Sequence, residues 1–273
     1  VNVDTTQNII SFCTGYGGIE LGLRQAGVDV REICYVEIEA YAIANLVAKI
    51  EENKLGAAPV WTDIKTFPAE IFRGKVHGIT GGYPCQPFSH AGQRKGTDDP
   101  RHLWPYILEH VRTIRPVWCF FENVEGHLTL GFKEVFKSLR DLGYSVEAGL
   151  FTASEVGAPH RRKRLFILAY TESEGFSRGR DGDSAERREE CQGYRGRIQC
   201  GIANTSLHRW PARPGQQQYE WEEPRTIKSS MGCAIDGVNA GVDMLRLLGN
   251  GVVPQTAAKA WITLNANAAR TSS

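Results

Sequence analysis

Four short segments carry residue types that can do chemistry. The first, Thr14-Gly15-Tyr16-Gly17-Gly18, directly follows the strand-like run Ile9-Ile10-Ser11-Phe12-Cys13. Glycines at a strand-to-helix turn let backbone come close to a ligand. Glu37 ends the next apolar run, Ile33-Cys34-Tyr35-Val36, where a carboxylate can accept hydrogen bonds from ribose hydroxyls. The glycine pattern is G-x-G-G and not G-x-G-x-x-G. That disfavours a dinucleotide whose pyrophosphate rests on a helix N-terminus and leaves a nucleoside cofactor as the better reading. Asp63, after Trp61-Thr62, can accept from an adenine amino group, although an acid there by itself more often starts a helix.

The second segment is Gly81-Gly82-Tyr83-Pro84-Cys85-Gln86-Pro87-Phe88-Ser89. A cysteine on a Gly/Pro loop just past a strand stands at the sheet edge where open α/β proteins bind ligands. Most lone cysteines are small buried hydrophobes, the role expected of Cys34 and Cys119; Cys85 differs because its flanks are turn residues. Beyond it, Ser89 to Gly96 is polar, glycine-punctuated and basic at Arg94 and Lys95, as a lid closing on a phosphate backbone would be. The third segment is Phe121-Glu122-Asn123-Val124, at the exit of the most apolar run. Its Glu122 is either exposed at the sheet edge or held in a cleft with a raised pKa. The fourth is Pro159-His160-Arg161-Arg162-Lys163-Arg164. A basic run is normally a solvated face, but the core-like Leu165-Phe166-Ile167-Leu168 follows, so part of it must turn toward the cleft.

The elements that position these segments are legible as alternation. Strand-like runs at 9–13, 33–36, 77–80, 117–121, 144–151 and 165–170 interleave with helical patterns opening at Ile19 and covering 40–50, 103–114 and 132–142. Strands alternating with helices predict an α/β fold, a Rossmann-like and mostly parallel sheet with helices on both faces. From about Thr171 to Ile227 the chain turns rich in Gly, Arg, Glu, Gln and Ser and loses periodicity. Regularity returns with Val242–Leu248 and a helical pattern over Val253–Leu264. The expected division is a catalytic, cofactor-binding unit at 1–170, a small and poorly regular region at 171–242, and a segment at 243–273 that returns to the first unit.

A formal net charge of +1 over 273 residues gives no global positive field, so any nucleic-acid contact must come from local basic patches. Seven scattered cysteines without a C-x-x-C pair argue against a disulfide framework or a zinc site and for a reducing compartment. The polar Val1–Asn8 does not resemble a secretory signal, and no apolar run reaches the ~20 residues of a membrane span. A cytoplasmic, membrane-free protein is expected.

Taken in order, these segments resemble the DNA cytosine-C5 methyltransferases of bacteria and phages. Gly15-Tyr16-Gly17-Gly18 is similar to the family's cofactor loop and Pro84-Cys85-Gln86 to its nucleophile motif. Glu122-Asn123-Val124 matches its E-N-V motif, and Arg162-Lys163-Arg164 the end of its Q-x-R-x-R motif. Leu248-Gly249-Asn250-Gly251-Val252-Val253-Pro254 matches its G-N-x-V-x-P motif. The match spans 9–169 and 244–264, and the irregular region between stands where the family has its target-recognition domain. Three positions depart: Cys13 where Phe is usual, His160 where Gln is usual, and Gly251 where Ser or Ala is usual.

The resemblance implies S-adenosyl-L-methionine as cofactor, held by Gly15, Tyr16, Gly17, Gly18, Glu37, Ile38, Asp63, Ile64, Gly82, Pro84, Asn250 and Val252. It implies Cys85 as a thiolate adding to cytosine C6, Glu122 as an acid at N3, and Arg162 and Arg164 as groups that orient the base and neutralise charge. Gln86, Ser89, Arg94, Lys95 and Arg161 are its implied DNA contacts. Duplex DNA is the implied partner of a monomeric enzyme, with the target base flipped out of the stack; a cognate restriction endonuclease would be a further companion. Two other readings stay open. One is a tRNA cytosine-C5 methyltransferase, whose Cys-Phe-Thr signature is absent here; the other is a decayed, non-catalytic DNA-binding homologue.

Overall fold

The computed structural model describes residues 6–84, 103–171, 217 and 249–271. Seven strands form one sheet: β1 (Gln7–Phe12), β2 (Val30–Val36), β3 (Val60–Trp61), β4 (Gly78–Gly81), β5 (Trp118–Val124), β6 (Ser145–Thr152) and β7 (Lys163–Tyr170). Their order across the sheet is β3-β2-β1-β4-β5-β7-β6. The first five are parallel, and β7 inserts antiparallel to both β5 and β6. Order reverses beside β1, between β2 and β4, which opens the crevice at the carboxyl ends of these strands where doubly wound sheets take ligands.

Alternation along the central strands explains the two layers of helices. Ile10, Phe12, Cys119, Phe121, Leu165 and Ile167 face one side, where they pack on Ile107, Val111 and Ile114 of α3 (Trp104–Ile114) and Val135 and Leu139 of α4 (Phe132–Asp141). Their neighbours Ile9, Trp118, Phe120, Phe166 and Leu168 face the other side, where α1 (Gly18–Gln25) and α5 (Pro254–Thr271) contribute Ile19, Leu23, Ala257, Trp261 and Leu264. The remaining helix, α2 (Ala40–Glu51), buries Leu46 on Tyr35 of β2. Strands buried on both faces read as continuous apolar runs, as 118–121 and 165–169 do.

Helices α1 and α5 approach closely because Gly22 leaves no side chain between them. A Cβ there would lie 2.6 Å from the Pro254 carbonyl oxygen and 2.7 Å from Ala257 Cβ. Trp261, 1% exposed, then inserts edge-on against Trp118 and Phe120 with ring centroids 4.7 and 5.2 Å away. This packing seats the segment 249–252 on the glycine loop. No helix among the described residues is long and apolar enough to cross a membrane.

Candidate active site at the carboxyl edge of the sheet

Cys13 ends the first strand one residue earlier than its apolar pattern suggests, because its backbone turns left-handed at φ 49°. Gly15 and Gly17 continue with positive φ, at 58° and 81°, and Gly18 opens α1. Glu37, just past β2, ties this loop down. Its Oε2 accepts from the Gly15 N–H at 2.7 Å, and its Oε1 from the N–H groups of Ile38 and Glu39, both at 2.9 Å. A carboxylate offers about four acceptor sites, so Glu37 is mostly engaged in holding the loop and keeps capacity for about one further donor. Beside it Ile38 is 69% exposed, an apolar surface at the crevice mouth. Asp63 accepts from the Lys65 N–H at 2.9 Å and so caps a 3-10 turn, with Ile64 buried behind it.

The Tyr16 hydroxyl donates to the Val252 carbonyl, and Lys49 Nζ both donates to the Tyr16 carbonyl at 2.6 Å and lies over its ring. Burial pushes the Tyr16 phenol up to about 12, keeping it a donor. From the other side Arg162 donates to the carbonyls of Gly249 (2.9 Å) and Gly251. Its backbone is left-handed at φ 28°. The guanidinium therefore clamps the returning segment onto the sheet edge, a positioning contact in addition to the base-orienting role expected from the sequence. Asn250 and Val252 are thereby brought over the glycine loop. Together with Ser11, Cys13, Gly15, Glu20 and Gly82 they line a cavity of about 20 Å3. Burial, with Glu37 adding to it, pushes the Cys13 thiol in that wall up to about 12, so it stays neutral.

Glu122 occupies the cleft and not the exposed edge. It is 5% exposed, and burial pushes its carboxyl up to about 7 against the opposing pull of Arg164 and Arg162. Arg164 Nε is 3.0 Å from Glu122 Oε1, an ion-pair contact; Oε1 makes no well-directed hydrogen bond. Because β7 runs antiparallel to β5, Arg164 pairs with Val124 and is delivered to the same edge as Glu122. Gly82 faces this carboxyl: a Cβ at Gly82 would stand 3.5 Å from Glu122 Oε2 and 3.9 Å from both the Cys13 carbonyl oxygen and Val252 Cγ2. Next door, Val124, Glu125, Gly126, Arg161, Arg162, Lys163 and Arg164 line an open cleft of about 560 Å3. Arg161 is exposed there, while Lys163 pairs with Glu125 at 2.8 Å.

Pro84 is the last described residue before the loop expected from the sequence to carry Cys85, and it is exposed. Cys85, Gln86, Ser89, Arg94 and Lys95 lie outside the described residues, as does nearly all of 171–242. What leads into the loop is firmly held. Asn123 Nδ2 donates to the Tyr83 carbonyl at 3.1 Å, and its Oδ1 accepts from the Val124 N–H at 2.9 Å. The Tyr83 hydroxyl meets His127 Nε2 at 3.1 Å, both buried. Asn123 had no role assigned from the sequence; its position inside the E-N-V motif was the available signal. Glu20 was missed as well, although it lies three residues before the core residue Leu23 on the same helical face.

Known proteins are similar to this chain over part of their length. The type II methyltransferase M.PspPI of Psychrobacter sp. (strain TA137) is 32% identical over 176 residues, covering 62% of this chain and 40% of that protein. M.MthTI of Methanothermobacter thermautotrophicus is 35% identical over 172 residues, covering 60% and 49%. The chain thus spans half or less of the length of these relatives. Among solved structures, the S. pombe Dnmt2 methyltransferase is similar with a TM-score of 0.51 and 26% identity, covering 62% of this chain and 52% of that one. The family model for C-5 cytosine-specific DNA methylase matches residues 7–232, and with well over half of its length accounted for in this way the chain belongs to that family.

Proposed function

We propose that this chain transfers a methyl group from S-adenosylmethionine to C5 of a cytosine flipped out of duplex DNA, with Cys85 as the covalent nucleophile. The observation that carries the reading is Glu122: a buried carboxyl pushed up to about 7, paired with Arg164, and facing the glycine that leads to Pro84 and Cys85. A group that is half protonated near neutral pH can donate to a ring nitrogen and then hold the charge that develops there.

The residues at the crevice fit the cofactor. The Gly82 position is kept free of a Cβ between Glu122, Cys13 and Val252, where the reacting groups must meet. The positive-φ turns at Gly15 and Gly17 and the opening of α1 at Gly18 bring backbone to the ligand side, and Glu37 retains acceptor capacity for a ribose hydroxyl. Ile38 offers exposed apolar cover for the adenine, with Asp63 and Ile64 completing that side; Asn250 and Val252 line the cavity beside the glycine loop, and Tyr16 and Pro84 complete the set that would hold the cofactor. When bound, the cofactor supplies an electrophilic methyl group on a positively charged sulfur.

The chain's own groups then do the following. The Cys85 thiolate forms a bond to C6 and drives the C5=C6 electron pair toward C5. Glu122 gives a proton or hydrogen bond to N3, and Arg164 neutralises charge at the edge of the ring. After methylation the C5 proton passes to a water molecule, its electron pair re-forms C5=C6, and the Cys85 sulfur departs as a thiolate. A carboxyl buried as deeply as Glu122 cannot be reached by a stacked base, which supports flipping. Arg161 and the cleft beside it suit the phosphate backbone. Transfer of labelled methyl groups to duplex DNA but not to tRNA, with bisulfite sequencing placing them on cytosine, is the expected result. Labelling of tRNA alone would move the substrate to RNA, and no transfer to either would favour a decayed homologue.

A further inference from the structure

Glu20 is the least explained group near the crevice. It sits in the first turn of α1 at 0% exposure, in a position where an aliphatic side chain would pack against the sheet without cost. Its Oε1 accepts from the Thr80 hydroxyl at 2.5 Å. Its Oε2 is buried without a hydrogen-bond partner, and Glu20 lines the cavity walled by Gly15, Gly82, Asn250 and Gly251. A buried polar atom left unpaired inside a ligand crevice marks a place where a ligand completes the set.

The polarity of the missing partner follows from what surrounds it. A carboxylate accepts only, so the ligand must bring donors. The hydroxyls of Ser11 on β1 and Thr80 on β4 hydrogen-bond to the carboxyl, while Glu32 and Tyr35 from β2 and Lys49 from α2 interact with it through charge. The Glu32 charge is matched by Arg24 at 2.5 Å, and Lys49 is committed to the Tyr16 carbonyl. No cation among the described residues therefore serves Glu20 directly. The cavity, at about 20 Å3, takes a group about the size of one water molecule, which is also about the size of an –NH3+ head.

We propose that Glu20 is the counter-ion for the α-ammonium group of the cofactor's amino-acid tail, an assignment that rests on the S-adenosylmethionine reading given above. Before binding, burial holds the Glu20 carboxyl above its ordinary pKa. Arrival of the ammonium favours the carboxylate, so the ion pair lowers the proton affinity of Glu20. Glu20 thus gives the pocket a means of telling an intact amino-acid tail from a truncated one.

The test uses two neutral-sulfur ligands and the full chain. S-adenosylhomocysteine carries the ammonium; 5′-methylthioadenosine has the same nucleoside and thioether but no amino-acid tail. Calorimetric titrations are run on wild type and Glu20→Gln at a series of pH values from about 4 to about 8, in two buffers of different ionisation enthalpy so that proton release is counted. The expected result is that Glu20→Gln weakens S-adenosylhomocysteine by about ten- to a hundredfold, the scale of one charge-assisted hydrogen bond, and methylthioadenosine by about twofold or less. Within the series, wild type should release more protons with S-adenosylhomocysteine than with methylthioadenosine. Unchanged affinity for S-adenosylhomocysteine, or equal weakening of both ligands, overturns the assignment. Should Glu20→Gln fail to fold, the wild-type proton count decides by itself, and an equal count for both ligands at every pH of the series overturns the assignment. Failure of wild type to bind either ligand would instead sink the cofactor reading, and this inference with it.

Discussion

Replacing Glu122 by Gln should change how stability depends on pH, and the structure gives the sign. Burial moves this carboxyl from 4.5 in the unfolded chain to about 7 in the native protein. The native state therefore holds the proton more tightly. Its stabilising contribution is fully present below about pH 4.5 and is lost as pH rises through about 7. At about 1.4 kcal/mol for each tenfold difference in proton affinity, the whole effect is about 3 kcal/mol, of which about 2–3 kcal/mol falls between pH ~5 and ~8. The Glu122→Gln side chain keeps the shape and an oxygen near Arg164 but cannot titrate. Urea unfolding of both proteins at the two pH values isolates the effect, because the shifts of Glu20 and His127 are common to both and cancel. Wild type should lose about 2–3 kcal/mol relative to Glu122→Gln on going to the higher pH. Parallel stability curves would refute a raised Glu122 and remove the observation on which the proposed function leans.

Three further outcomes are expected. Gly22→Val should drive α5 off α1, since its side chain would start 2.6 Å from the Pro254 carbonyl oxygen. A stability loss above the ~1–3 kcal/mol of ordinary overpacking, with tryptic release of the C-terminal helix, is the signature in proteolysis and denaturation. Trp261→Ala should cost about 3–5 kcal/mol in chemical denaturation, whereas Trp261→Phe should cost less than half of that. The indole Nε1 is buried without a hydrogen-bond partner, so replacing it loses no hydrogen bond. Glu37→Ala should weaken S-adenosylhomocysteine by about 1.5–3 kcal/mol in calorimetry. It should also lower the melting temperature, because three backbone N–H groups lose their acceptor.

The parts of the site that lie close together along the chain were legible from residue types. The glycine loop, Glu37 and the E-N-V segment each sit at the end of an apolar run, and strand ends are where a parallel sheet exposes its ligands. The two-residue β3 left no signal, being too short to show a period. The antiparallel insertion of β7 was equally silent, because a strand buried on both faces has the same apolar pattern in either direction. Arg162 reads as a member of a basic run. That it grips carbonyls 87 and 89 residues away depends on the docking of α5, which no local pattern encodes. Glu20 carries no motif of its own, and its burial is what singles it out.

The central claim is a covalent bond between Cys85 and cytosine, and trapping it is the most direct test. Duplex DNA carrying fluorine at cytosine C5 should be incubated with the full chain and S-adenosylmethionine, since fluorine cannot leave as the proton does. The account predicts a denaturation-resistant protein–DNA complex whose peptide map places the link on Cys85, and predicts that Cys85→Ala forms no complex and transfers no methyl group while still binding DNA. Methylation that persists in Cys85→Ala, or an adduct on any other residue, would contradict it.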